Sequence, residues 1–226
     1  MKLLRSDLFD LNPLRKIHSE RIGNGGHHLV IIDDLFQHPR DISQLMDELP
    51  YTDHPSVRKE APTYRCVMNF PNRLNIYQEV FQLHYKAYPE INRLSEERCS
   101  FDQYFDGSPL IGTNCPPHVD NEKNSTPYYA LVIYMNEDHL HGGTQFLRHA
   151  DLNMETSTGT DEAFNRPTTI RRATPWDYEP SEWCLYYLAQ MKFNRLISYR
   201  NNLLHSLYTN GSFYRNHPRK TIVSNF

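Results

Sequence analysis

His118 and Asp120 stand two residues apart in Pro117-His-Val-Asp120. On extended backbone, positions i and i+2 point to the same side, so one imidazole and one carboxylate can grip a single ion. A third ligand has to come from elsewhere in the chain. His205 is the strongest candidate, because Asn202-Leu-Leu-His-Ser-Leu207 is otherwise apolar and a buried polar ring there needs a partner. Two histidines and one carboxylate leave adjacent coordination positions open. That suits a non-haem iron(II) ion that takes a co-substrate and dioxygen side by side. The tripeptide alone is weak evidence, since such a turn arises often by chance, and a lone histidine on an apolar strand is more often a satisfied core residue. The order of the parts carries the reading: a Pro-Pro turn, the His-Asp pair, a Tyr-rich strand, Gly142-Gly143, the strand-borne histidine, then Arg219.

Arg219-Lys-Thr221 supplies the next piece. A dicarboxylate that chelates a metal through its 2-oxo acid end leaves a distal carboxylate in need of a cation. Arginine suits that task because its planar fork makes two charge-assisted hydrogen bonds. Thr221, two residues on, shares the same strand face. Arg215 is the competing anchor, and a charge cluster solvating the C-terminal segment is the plainer alternative. Tyr104 and Tyr129 are candidates for a phenol beside that carboxylate, or else core aromatics. Gln103 and Asn202 are candidates for pocket lining. His139-x-His141 lies beside Gly142-Gly143 and reads as a pair of turn histidines rather than metal ligands.

Taken together, Pro117-His-Val-Asp120, Tyr129-Ala-Leu-Val-Ile-Tyr-Met-Asn136, Gly142-Gly-Thr-Gln-Phe146, Asn194 through His205 and Arg219-x-Thr221 resemble the iron(II)/2-oxoglutarate dioxygenases, most closely their prolyl-hydroxylase-like branch. Within it the chain is similar to a bacterial family of 2-oxoglutarate oxygenases sharing the Asn-Arg-Leu…Tyr…Asn-Leu-Leu-His-Ser pattern. The match covers roughly residues 27–226, in layout only over the first third. The resemblance implies a double-stranded β-helix, a jelly-roll or cupin-like core with the metal at one open end. It also implies iron(II), 2-oxoglutarate and dioxygen as cofactor and co-substrates, with succinate as a product. His118, Asp120 and His205 would then be the catalytic metal ligands, with Arg219, Thr221, Tyr104 and Tyr129 around the co-substrate. Halogenating relatives carry a small residue where Asp120 stands, so the intact carboxylate favours hydroxylation or desaturation. The wide spacing from His205 to Arg219 departs from many relatives and keeps Arg215 in play.

Two further readings compete. A 2-oxoglutarate-independent iron oxidase would tolerate loss of Arg219. A non-catalytic binding or sensing module with a structural metal would release no succinate. The expected substrate is a small molecule, an amino acid or a peptidyl side chain, and the scaffold does not choose among them.

The elements that must position these residues follow from periodicity. His28–Asp33 reads as a strand, 39–49 as an amphipathic helix with Ile42, Leu45, Met46 and Leu49 at helical spacing, and 51–62 as a loop. A second helix spans 73–87, with Leu74, Tyr77, Val80, Phe81 and His84 on one side. Strands are expected over 100–105, 128–136, 144–148, 195–199, 203–208 and 221–226. The plan is one domain over 1–226, mainly β with N-terminal helices (α+β): a helical support region at 1–96 and a β-helix core at 97–226 with an insertion at 150–190. Trp176, Tyr178, Trp183, Tyr186 and Tyr187 in that insertion suggest a water-excluding lid, with a structural excursion or an oligomer contact, such as a homodimer's, as the alternatives.

Composition bounds the rest. The 226 residues suffice for one domain with a proper core, and 15 Tyr and 11 Phe supply bulk that a 38% apolar fraction would otherwise lack. With 24 basic and 27 acidic residues and no long basic run, nucleic-acid binding is disfavoured. No apolar run approaches the ~20 residues that cross a bilayer. Four cysteines without C-x-x-C spacing and a start unlike a signal peptide lead us to expect reduced thiols and a cytoplasmic location.

Overall fold

The computed structural model describes residues 7–53, 63–91, 98–104, 117–120, 129–157, 182–209 and 213–226. In chain order the elements are β1 (Lys16–Ile22), β2 (His27–Asp33), α1 (Pro39–Glu48), β3 (Thr52–Asp53), β4 (Thr63–Val67), α2 (Arg73–Tyr85), β5 (Arg98–Tyr104), β6 (Tyr129–Tyr134), β7 (Gly142–His149), β8 (Trp183–Gln190), β9 (Arg195–Arg200), β10 (His205–Thr209) and β11 (Arg219–Asn225). They form an eight-stranded sheet, β1-β2-β9-β6-β11-β5-β4-β3, and a three-stranded sheet, β10-β7-β8. Every pairing is antiparallel. From β5 onward the chain passes repeatedly between the sheets: β6, β9 and β11 go to the large one, β7, β8 and β10 to the small one. That alternation is a double-stranded β-helix.

The large sheet has two different faces. One is backed by α1 and α2, where Val30, Ile32, Phe101, Leu131, Ile133, Leu196 and Ile222 meet Ile42, Met46, Ile76 and Val80. The other faces the small sheet, with Leu29, Ile31, Val132, Tyr134 and Ile197 packed against Phe146 and Ala189. Strand alternation assigns each residue to one face or the other. Pro39 at the start of α1 and Asp41 in its first turn suit a helix N-terminus, and Ile42 and Met46 are its buried residues.

Four expectations change. The first 96 residues carry β1 to β4 as well as the two helices. β1 is an edge strand whose first four residues are exposed, so Lys16-Ile-His-Ser-Glu-Arg-Ile22 shows no apolar alternation; β3 has only two residues, and Thr63-Tyr-Arg-Cys-Val67 of β4 has no continuous apolar run. Thr52 and Asp53, read as loop, pair with β4, while 54–62 lie outside the described residues. The insertion ends earlier than position 190: Trp183–Gln190 is β8, paired with β7 across a bulge at Phe146/Leu147. On α2, Leu74 is 52% exposed and Ile76 takes its place in the core, because the buried stripe is Ile76, Tyr77, Val80 and His84.

Candidate metal centre

The His118–Asp120 segment is a short extended piece laid along the start of β10. His118 N–H donates to His205 O at 2.9 Å, His205 N–H returns to His118 O at 3.0 Å, and Asp120 N–H reaches Asn201 O at 2.9 Å. It thus forms a fourth rung on the small sheet and brings residues 118, 120 and 205 to one place. Their ligand atoms all lie within 4.8 Å of one another. His205 Nε2 is 3.5 Å from Asp120 Oδ2, and His118 Nε2 is 3.8 Å from Asp120 Oδ1. No direct hydrogen bond closes these gaps, and a cation between them would be held by all three. Among the described residues this is the single such cluster.

The orientation of His205 is fixed from behind. Its Nδ1–H donates to Leu203 O at 2.9 Å, which leaves the Nε2 lone pair facing Asp120 and His118. Burial pushes its pKa down to about 4, against the pull of Asp120, so the ring is neutral and ready to ligate at neutral pH. His118 and Asp120 are partly exposed, so the centre opens to one side.

Arg219 begins β11 on the face toward the small sheet. It is 6% exposed, its Nη2–H donates to Gly143 O at 3.1 Å, and its guanidinium lies 5.4 Å from the centre of the Tyr134 ring. Its Nε is buried without a hydrogen-bond partner, and no ion pair to it is found among the described residues. Burial lowers its pKa despite the surrounding tyrosines Tyr134, Tyr214, Tyr104 and Tyr199. A buried, unpaired guanidinium is expensive unless an anion completes it. Arg215 is exposed in a short 3-10 turn, so of the two arginines only Arg219 is positioned for an interior anion. Thr221, buried, follows on the same face.

Tyr199 bridges the two ends of the site. Its ring is 4.9 Å from that of His205, and Asp120 and Arg219 both act on its hydroxyl electrostatically. Gly143, which holds Arg219, and Phe146, paired with His205, are three residues apart on β7, roughly 10 Å along the strand.

The other sequence candidates divide. Tyr104 is directly opposite Arg219 in the β5–β11 register and is buried beside it. Tyr129 is a correction: it sits on the helix-facing side, stacked on His84 at 4.2 Å and packed near Phe226, so the sheet separates it from the triad face. A residue at an odd position of β6 cannot share a face with Tyr134. Gln103 likewise points to the helices, donating to Met46 O at 2.8 Å. Asn202 stays near the centre, with its Oδ1 buried and unpartnered. His139 is exposed and His141 is held by Asp138 and stacked on Phe213, as turn residues. Of the proposed lid aromatics, Trp183, Tyr186 and Tyr187 belong to β8, and Trp176 and Tyr178 lie outside the described residues.

Sequence reasoning missed the clamp at Glu155. Its carboxylate accepts from Asn24 N–H at 2.9 Å, Gly25 N–H at 3.0 Å and Arg148 Nε–H at 2.8 Å, and meets His27 Nε2 at 3.0 Å. Burial would raise its pKa, but those backbone donors and Arg148 outweigh it and hold it below the usual range. The flanking backbone pairs with the approach to β10: Leu204 N–H donates to Glu155 O at 2.8 Å and Ser157 N–H to Asn202 O at 2.9 Å. Gly23 (φ +68°) closes the β1–β2 turn against it, where a Cβ would come within 2.6 Å of Glu155 Oε2. The glycines were visible in the sequence, but their partner 130 residues away was not.

A family model described as "Family of unknown function (DUF6445)" matches residues 13–217. No curated protein gives a match. Among solved structures, the chain is similar to a prolyl-4-hydroxylase of Pseudomonas putida at 11% identity, with 89% of this chain and 93% of that one covered and a TM-score of 0.49. It is similar to a 2OG-Fe(II) oxygenase family oxidoreductase from Burkholderia pseudomallei at 12% identity, covering 87% and 84%, TM-score 0.49. A third is HygX of Streptomyces hygroscopicus with nickel, 2-oxoglutarate and hygromycin B bound, at 10% identity, covering 99% and 86%, TM-score 0.45.

Proposed function

The chain belongs to the DUF6445 family, and from its geometry we propose that it is an iron(II)- and 2-oxoglutarate-dependent oxygenase. In that reaction dioxygen, 2-oxoglutarate and a substrate C–H become succinate, carbon dioxide and an alcohol. The substrate would be a small molecule, an amino acid or a peptidyl side chain. The observation that carries the reading is the pairing, between the same two sheets, of a two-histidine, one-carboxylate cluster with a buried guanidinium that has no counter-anion among the described residues. A metal site alone would be compatible with many roles. The arginine adds a carboxylate of defined place.

His118, Asp120 and His205 would hold the iron, which supplies dioxygen activation when bound. The chain's own residues do the rest. Leu203 O fixes the His205 tautomer. Arg219 would receive the distal carboxylate of 2-oxoglutarate, its orphaned Nε–H completing a forked contact, with Thr221 and Tyr104 beside it. The spacing of about 10 Å between the two ends is bridged by the arginine side chain and a five-carbon dicarboxylate together. Phe146 and Tyr199 pack against the His205 ring and keep water from the inner side of the centre.

The test is succinate formation from 2-oxoglutarate by purified protein in air, with and without iron(II). Iron-dependent succinate that disappears in His205→Ala is expected. Folded, iron-loaded protein that consumes no 2-oxoglutarate with any of a broad set of metabolites and peptides would contradict the reading.

A further inference from the structure

Resting on that oxygenase reading, we infer that the substrate lies against the inner face of β11, β5 and β4, and that it offers hydroxyl or N–H donors to Asn225 and Asp102. The space between the two sheets is not uniform. Above β1, β2, β9 and β6 it is filled by Ile22, Leu29, Ile31, Val132, Phe146 and Ile197, and polar groups there already have partners: Tyr187 with Glu20, Tyr134 with Thr144, His27 with Glu155. On the other flank the same face carries Thr221, Val223 and Asn225 on β11, Ser100 and Asp102 on β5, and Arg65 and Val67 on β4. The register sets these side by side: Thr221 opposite Asp102, Asp102 opposite Arg65, and Ser100 between Val223 and Val67. Val67 is 65% exposed, so this flank opens to solvent at its edge.

Asn225 shares a cross-strand row with the aromatic residue that flanks the metal centre. Across β6 it stands opposite Ala130, and Ala130 in turn stands opposite Tyr199, whose ring is 4.9 Å from that of His205. Asn225 Oδ1 is buried there with no hydrogen-bond partner, as is Asn202 Oδ1, three residues before His205. Two rungs away, Asp102 is held rigid by Arg65, Nε to Oδ1 at 2.8 Å and Nη2 to Oδ2 at 2.6 Å. Each carboxylate oxygen has a second lone pair beyond those bonds.

The unsatisfied atoms on this side are acceptors. Asn225 and Asn202 leave amide oxygens without a partner, Asp102 keeps lone pairs beyond its bonds to Arg65, and Arg219, buried with no counter-anion among the described residues, belongs to the co-substrate end. A hydroxyl, amide N–H or amine completes the orphaned oxygens, and a site built to hydrogen-bond a donor rejects the analogue that lacks it.

The experiment uses the full chain with iron(II) and 2-oxoglutarate. Succinate release is measured with polyols, amino sugars and amide-capped amino acids, each beside its O- or N-methylated counterpart. At least one donor-bearing compound should raise release tenfold or more, with its methylated partner losing at least tenfold in kcat/KM. Asn225→Ala should collapse that preference to within about threefold, while Asn225→Asp, which keeps an acceptor of the same shape, should retain it. Equal stimulation by the methylated compounds, no stimulation by any donor-bearing compound, or a preference undisturbed in Asn225→Ala would each overturn the inference. If the wild-type protein fails to bind 2-oxoglutarate at all, it is the oxygenase reading that falls instead.

Discussion

His84, on the helix side of the large sheet, and His205, on the small sheet, are both buried, and they show what separates a structural histidine from a candidate ligand. His84 has both nitrogens engaged: Nδ1 meets His28 Nδ1 at 3.1 Å and Nε2 meets Ser198 Oγ at 3.1 Å. Because Ser198 Oγ donates onward to Ala130 O, it accepts from His84 Nε2–H, and His84 Nδ1 accepts from His28. The network is closed. His205 has one nitrogen engaged by Leu203 O, and the other faces a carboxylate and an imidazole across gaps suited to an ion. Burial drives both pKa values down, to about 3 and about 4 respectively. Burial and titration therefore do not distinguish them. The unfinished coordination does.

The sharpest way to break this comparison is to remove each ring. His205→Ala should abolish iron binding and succinate formation, with modest loss of stability. His84→Ala should leave iron affinity within about threefold, yet lower stability by roughly 2–4 kcal/mol, because it opens a cavity and strands Ser198 and His28. Metal titration and urea unfolding on both variants check this. Equal effects of the two on metal binding would refute the distinction.

Arg219→Ala comes next. Losing a forked, charge-assisted contact of roughly 1.5–3 kcal/mol per hydrogen bond should raise the KM for 2-oxoglutarate about 10²- to 10⁴-fold. Iron affinity measured without co-substrate should hardly move, which steady-state kinetics and metal titration would separate.

A smaller effect concerns pH. Both histidines are depressed below the unfolded value near 6.5, so the unfolded chain binds more protons. Their contribution to the metal-free protein is full above about pH 6.5 and is lost as pH falls toward 4 and then 3. Each depressed histidine removes up to about 1.4 kcal/mol per pH unit in that window. Urea midpoints between pH 7 and 5 should fall, and His84→Gln should fall less steeply.

The smallest expected effect is that of Tyr129→Phe. Its hydroxyl is buried without a partner on the helix side, so removal should be neutral or slightly stabilising, with no change in the KM for 2-oxoglutarate. A tenfold rise in that KM would place Tyr129 in the site after all.

How much of this was legible in the chain follows from how local each signal is. Asp120 two residues after His118, and Thr221 two after Arg219, are facts of strand periodicity, and the structure keeps each pair on one face. Tyr129 and Gln103 went astray for the same reason in reverse. Each sits one residue off the face of Tyr134 or Tyr104, and a one-residue register choice decides a side chain's face. β1 and β4 were invisible because edge and short strands need not alternate. The contacts of Glu155 with Asn24, Gly25 and His27, and of Asp102 with Arg65, join positions far apart in sequence, so no spacing announces them. The choice between Arg219 and Arg215 rested on burial, which composition does not show.

One measurement bears most directly on the paired triad and arginine. Iron(II) and then 2-oxoglutarate are added to the protein without oxygen, and the visible charge-transfer absorption of the chelate is followed by titration. The band should form with wild-type protein, be absent in His205→Ala, and require about 10²-fold or more 2-oxoglutarate in Arg219→Ala. Absence of the band in correctly folded wild-type protein, or its formation at the same 2-oxoglutarate concentration without Arg219, would contradict the account.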